Sequence, residues 1–151
     1  MDYEINNYTL MIYGIDNKKS KIYESSYSYD VDNCSNEVVE HSCEYFGSTL
    51  EGRQCGTKAL IGVSHKSPIF IEETANIIFF PIKSPRNKDC TWVSFNNVKN
   101  YCSDIDPKKT IITFKNGKNF TVSASFGTIQ NQILRSSRLQ VVLNDRKIKK
   151  D

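Results

Sequence analysis

Asn116-Gly117 is the strongest local constraint on how this chain can fold. The pair stands between two runs of β-formers, Thr110 to Lys115 and Lys118 to Val122. A type I′ turn needs positive φ at both central residues, and Asn-Gly supplies it at low cost, so an antiparallel hairpin is predicted. The same pattern of short apolar runs cut by turn residues recurs upstream. Tyr8 to Tyr13 is closed by Gly14 and the polar Asp16 to Lys19, and Tyr23, Ser25, Tyr27 and Tyr29 alternate with neighbours on the other face, which predicts an opening hairpin or meander. Thr57 to Val63, Ile69 to Ile71, Ile77 to Phe80 and Thr91 to Phe95 read as further strands, divided by Ser67-Pro68, Glu72 to Asn76 and the Ser84 to Lys88 loop. Ile77, Ile78, Phe79 and Phe80 are apolar on both faces and are expected to form the central core strand.

From Ser125 onward the period changes. Ile129, Ile133, Leu134, Val141 and Leu143 place apolar groups over one broad side without a proline, predicting a helix from about Thr128 to Asn144. The expected fold class is mainly β (α+β): an antiparallel β-barrel or sandwich of about eight short strands with a C-terminal α-helix. No composition shift, repeat or low-complexity tract divides the sequence, so residues 1–151 read as one domain. A globule of this size buries roughly 70% of its unfolded surface.

Between Glu44 and Gly56 the chain carries Gly47, Ser48, Thr49, Gly52 and Gly56 with few strand formers, and reads as an ordered loop. Its glycines serve either tight turns or the close approach of backbone amides to an anion such as phosphate. No Walker pattern accompanies them.

Composition excludes several classes. The 11% aromatic and 25% charged residues describe an ordinary globular protein. No apolar run approaches the ~20 residues of a membrane span, and MDYEINNYTL lacks the basic end and apolar centre of a signal peptide, so the expected location is the cytoplasm with no membrane partner. The five cysteines (Cys34, Cys43, Cys55, Cys90, Cys102) are odd in number and hold no C-x-x-C pair, which predicts reduced thiols. His41 and His65 fall at no paired-ligand spacing with them, so neither a metal nor another cofactor is expected. No G-x-S-x-G, H-E-x-x-H or paired-carboxylate motif occurs, and a Cys/His nucleophile would lack an orienting group, so an enzyme is not expected.

The net charge of +3 permits a polyanionic partner. Acidic residues crowd the first half (Glu37, Glu40, Glu44, Glu51, Glu72, Glu73), while cations punctuate the segment from Arg53 to Lys88, and the C-terminal DRKIKKD reads as a solvated face. Binding to DNA needs cations on phosphates and small polar or planar groups at base edges. Four places offer them: Arg53 with Lys58; Ser64-His65-Lys66; the SPRNK loop with Arg86 and Lys88; and the helix face of Asn131, Arg135 and Arg138, with Arg146 close in angle. The helix face is alternatively a solvated surface with incidental arginines. Trp92, Tyr45 and Phe46 read as core anchors before stacking platforms.

From Ser42 to Trp92 the segments SCEYFGSTLEGRQCGT, SHKSPI, IIFFP and SPRNKDCTW follow one another. This order resembles the ComK family of bacterial competence transcription factors, with its SC and aromatic-FGS segment, GR-x-x-GT, SHK-x-PI, an apolar run ending in FP, and C-x-W. YEIN at Tyr3 to Asn6, FKNGK at Phe114 to Lys118 and NQ-x-x-R at Asn131 to Arg135 extend the likeness over nearly the whole chain. Arg138, where the family has an aromatic residue, departs from it.

The resemblance implies a sequence-specific activator of genes for DNA uptake. It would bind double-stranded, A·T-rich promoter boxes through the minor groove as a homo-oligomer, dimer or tetramer, with Arg53, Lys58, His65, Lys66, Arg86, Lys88, Asn131, Gln132 and Arg135 as candidate contacts. In the family a C-terminal tail is recognised by an adaptor of a Clp protease. This chain stops at Asp151, so that route of control is not expected. The alternative function is a protein-interaction module or regulator that keeps the fold without binding DNA.

Overall fold

The computed structural model describes residues 2–149. Its layers are easiest to follow from the strand Ile77–Pro81, every residue of which is buried. Because side chains alternate along a strand, Ile77 and Phe79 enter one cluster with Ile12, Ile22, Val38, Val39, Cys43 and Trp92. Phe80 enters another with Leu10, Met11, Val93, Ile112, Phe114 and Ile129. Ile78 meets Ile61, Phe70, Leu139 and Leu143. Each such large side chain contributes about 1.5–3 kcal/mol on burial, which fixes the register of the sheet.

Among the described residues the chain forms β1 (Thr9–Gly14), β2 (Ser20–Glu24), β3 (Ser28–Val31), α1 (Ser35–Tyr45), α2 (Leu50–Ile61), β4 (Ile69–Glu72), β5 (Ile77–Pro81), β6 (Trp92–Ser94), β7 (Val98–Ser103), β8 (Thr110–Phe114), β9 (Asn119–Val122) and α3 (Phe126–Lys149). They build an antiparallel six-stranded sheet in the order β3-β2-β1-β6-β5-β4 and a three-stranded sheet β7-β8-β9. Helix α1 covers one face of the large sheet, and the small sheet together with α3 covers the other. The expected mainly β, α+β sandwich with a C-terminal helix is what forms. The large sheet is open, since its end strands β3 and β4 do not pair. A bulge between Thr9 and Met11 turns Leu10 and Met11 toward the same cluster, which simple alternation would forbid.

Several expectations need correction. The segment Glu44 to Gly56, read as an ordered loop, is the end of α1, a short turn and the first half of α2, and the strand expected at Thr57 to Val63 is the rest of α2 with its cap. Thr49 caps it by accepting from Gly52 N–H at 2.9 Å, Glu40 accepts from Leu50 N–H, and Gly62 ends it at φ +74°. A Cβ on Gly52 would stand 2.7 Å from Ser48 Oγ, so a side chain there requires that hydroxyl to turn away. Helix α1 was not foreseen. Its buried face includes Ser35 and Ser42 as well as Val38, Val39 and Cys43, so polar letters interrupt the apolar period.

The hairpin of β8 and β9 forms, but its turn is not type I′: only Gly117 takes positive φ, +89°. Phe114 C=O accepts from Gly117 N–H and Phe114 N–H donates to Lys118 C=O, both at 2.9 Å, the pattern of a three-residue loop closed by a bulge. Strand β5 is enclosed on both faces yet lies second from the β4 edge, while β1 and β6 hold the middle. Helix α3 exceeds its expected range at both ends. The last residues of the DRKIKKD run, Lys150 and Asp151, lie outside the described residues. No helix among the described residues is long and apolar enough to cross a membrane.

Candidate nucleic-acid interface

The loop between α2 and β4 is fastened through its carbonyl groups. Thr57 Oγ1 on α2 donates to Pro68 C=O at 2.6 Å. Gln132 Nε2 on α3 donates to Lys66 C=O at 2.8 Å and to Pro81 C=O at 2.7 Å, and Arg135 donates to His65 C=O at 3.0 Å. With the carbonyls held inward, His65 and Lys66 stand exposed. Lys66 adopts φ +50°, a left-handed conformation uncommon for a side-chain-bearing residue and maintained by these surrounding bonds.

A second loop, Lys83 to Asp89, stands beside it. An ion pair of 2.9 Å between Lys83 and Asp89 closes its base, and Asn87 N–H donates to Ser84 C=O at 3.0 Å across its turn. Helix α1 holds this loop from behind: Asn36 Nδ2 donates to Pro85 C=O at 2.6 Å while Asn36 Oδ1 accepts from Trp92 Nε1 at 3.0 Å. Trp92 is therefore a core anchor, fully buried, that also orients the loop.

Two adjoining depressions share His65 and Lys66. One continues over Ser125, Gly127, Thr128, Asn131, Gln132 and Arg135. The other continues over Gln54, Ser64, Ser67, Ser84, Pro85 and Arg86. No carboxylate among the described residues lines either. The start of α3 contributes the positive end of a long helix to the first depression, where Ser125 Oγ accepts from Thr128 N–H at 3.3 Å. Cations, amides, hydroxyls and a helix N-terminus on one concave surface suit an anionic polymer.

The structure brings together His65, Lys66, Arg86, Asn131 and Arg135. It places other candidates elsewhere. Arg53 stacks 4.5 Å from the centre of the Phe70 ring and reaches Ile71 C=O at 3.4 Å, so it joins α2 to β4. Gln132 is 1% exposed, with its amide donors spent internally. Both side chains, expected as DNA contacts, are engaged by the body of the protein in this structure. Lys58 is exposed on α2 one turn beyond Gln54, and Lys88 lies on the second loop toward Glu37. Sequence reading missed Gln54, because α2 was taken for a loop, and missed Ser125 and Thr128, although Ser-x-x-Thr before an apolar period is a helix-start signal. For Arg53→Lys, loss of the planar fork over Phe70 is expected to cost about 1–2 kcal/mol in urea unfolding. DNA affinity of the folded variant should stay within about threefold of the parent.

The cysteines are free thiols away from the two depressions. Burial pushes Cys43 up to about 12 and Cys90 up to about 11, so neither is a thiolate at neutral pH. Iodoacetamide at pH 8 should modify the exposed Cys55 and Cys102 in the native protein and leave Cys34, Cys43 and Cys90 untouched until unfolding, as read by peptide mass.

The comparisons with known proteins fall on this same architecture. The family model described as ComK protein matches residues 1–148. A competence transcription factor of Bacillus subtilis (strain 168) is 34% identical over 148 residues, covering 95% of this chain and 76% of the relative. Among solved structures, none matches. In this chain the GR-x-x-GT, SHK-x-PI and NQ-x-x-R segments touch around one loop, and by these matches the chain belongs to the ComK family.

Proposed function

We propose that the protein is a DNA-binding transcription activator of competence genes that reads A·T-rich boxes through the minor groove. The observation that carries this reading is the pair of carboxylate-free depressions joined at His65 and Lys66, with Arg86 at one end and Arg135 at the other. A·T-rich tracts narrow the minor groove and deepen its negative potential, which favours insertion of Arg, Lys or His. Amide and hydroxyl groups such as Asn131, Thr128 and Ser84 supply donors to the acceptors that adenine and thymine present there. A·T and T·A look alike from that side, so one copy reads little information and copies on spaced boxes add it.

The test is fluorescence anisotropy with an A·T-box duplex and a G·C-rich duplex over a range of salt. Affinity for the A·T duplex should fall linearly on logarithmic axes, with a slope of about −0.9 per phosphate neutralised. The A·T duplex should win by at least about tenfold. Binding that ignores salt, or no binding at all, would replace this reading with the protein-interaction module.

A further inference from the structure

Helix α3 carries a second pattern on the side turned away from the sheets. Ile129, Gln132, Ser136, Leu139 and Leu143 are buried against the body of the protein. Leu134, Val141 and Ile148 are 63%, 55% and 70% exposed, and Arg138 and Asp145 stand between them, also exposed. The steps 134, 138, 141, 145 and 148 alternate four and three, the spacing of a coiled-coil seam, with apolar residues at every second place. Exposed apolar residues scattered singly need no explanation. A regular seam opposite the buried face of a long helix does.

From this seam we infer that α3 docks on α3 of a second copy of this chain, antiparallel, about a dyad at Val141. The charges choose the direction. In a parallel pair Arg138 would face Arg138 and Asp145 would face Asp145. In an antiparallel pair Val141 meets its own symmetry mate, Leu134 lies opposite Ile148, and Arg138 comes within one residue of Asp145. One register therefore matches the apolar and the charged positions together, and every contact occurs twice, as a two-fold interface requires.

The seam lies about a quarter-turn around α3 from Asn131 and Arg135, at ~100° per residue, so pairing leaves the basic depressions open. Asn131 precedes the dyad by ten residues, which at ~1.5 Å per residue sets the two depressions about 30 Å apart along the helix pair. That is close to one turn of duplex, about 34 Å. This last consequence rests on the DNA-binding reading; the interface itself does not. A seam of a few side chains is smaller than the ~800 Å² per partner of a stable complex, so association of the free chain is weak and is completed on a shared duplex.

Cross-linking tests it in a background carrying Cys55→Ser and Cys102→Ser, which removes the exposed thiols. Val141→Cys should form a covalent dimer on oxidation, and Leu134→Cys should cross-link with Ile148→Cys but not with itself. In sedimentation, Arg138→Asp should weaken self-association by about tenfold, and Arg138→Asp with Asp145→Arg should restore it. Failure of Val141→Cys to bridge, self-bridging by Leu134→Cys, or a double exchange that restores nothing would overturn the interface. Loss of A·T-duplex binding in the parent with cross-linking intact would sink the DNA reading and leave the interface standing.

Discussion

Replacing Lys66, Arg86 and Arg135 together is expected to lower affinity for an A·T-rich duplex about a thousandfold and to flatten its salt dependence by about three units of slope. The three side chains span the two depressions from the start of α3 to the second loop. If each loses about 1.4 kcal/mol, a tenfold factor, and the sites act independently, the losses multiply. The substitutions must spare the scaffold. Lys66→Asn suits the left-handed φ at that position, where alanine would be strained. Arg135→Gln keeps an amide donor near the His65 carbonyl, and Arg86 is exposed, so Arg86→Ala removes only its charge and stem. Stability of each single variant should stay within about 0.5 kcal/mol. Unchanged affinity and slope in the triple variant would move the interface to another face.

Gln132→Ala should cost about 3 kcal/mol in chemical unfolding, the largest stability effect expected at the site. Its amide is buried and donates at once to Lys66 and Pro81. Removing it leaves two carbonyls without that partner, at about 1–3 kcal/mol for each buried group left unsatisfied, and adds a small cavity. Affinity for DNA should fall as well, because Lys66 C=O loses its tether and the loop can wander from the left-handed conformation. Here the two readouts separate roles. A surface contact would lose affinity with stability intact, whereas Gln132 should lose both. A variant as stable as the parent would mean that the loop is held chiefly by Thr57 and Arg135.

How much of this was legible in the letters depends on where polar residues ended up. Strands β4, β5, β8 and β9 were readable because Ile, Phe and Thr lie between clear turn residues. Helices α1 and α2 were not. In α1 the buried face is completed by Ser35 and Ser42, whose hydroxyls serve the Cys90 carbonyl and the Ile5 amide. In α2, Gly52 and Gly56 read as turn residues, though one meets Ser48 and the other packs near the Phe70 ring. Single-residue cues fail where tertiary partners reward an unusual choice. Arg53 and Gln132 show the same limit at the site. Both have the chemistry of nucleic-acid contacts, and only the folded structure shows the ring and carbonyls that their side chains engage. Lys66 and Arg86 could be read as exposed because the loops around Ser67-Pro68 and Ser84-Pro85 leave long cations few places to go but outward, whereas Arg135 stands half-buried on α3.

The tethered loop between α2 and β4 also bears on how binding would be spent thermodynamically. Its backbone torsions are already set in the free protein by donors from α2 and α3. A ligand settling on His65 and Lys66 would therefore freeze only side-chain rotamers, about 0.5–1.5 kcal/mol for each. The entropic cost of ordering a segment of main chain was met during folding. Calorimetry on a short duplex should accordingly find a heat-capacity change small enough to be accounted for by the contact surface alone, without the excess that accompanies a segment folding on its target.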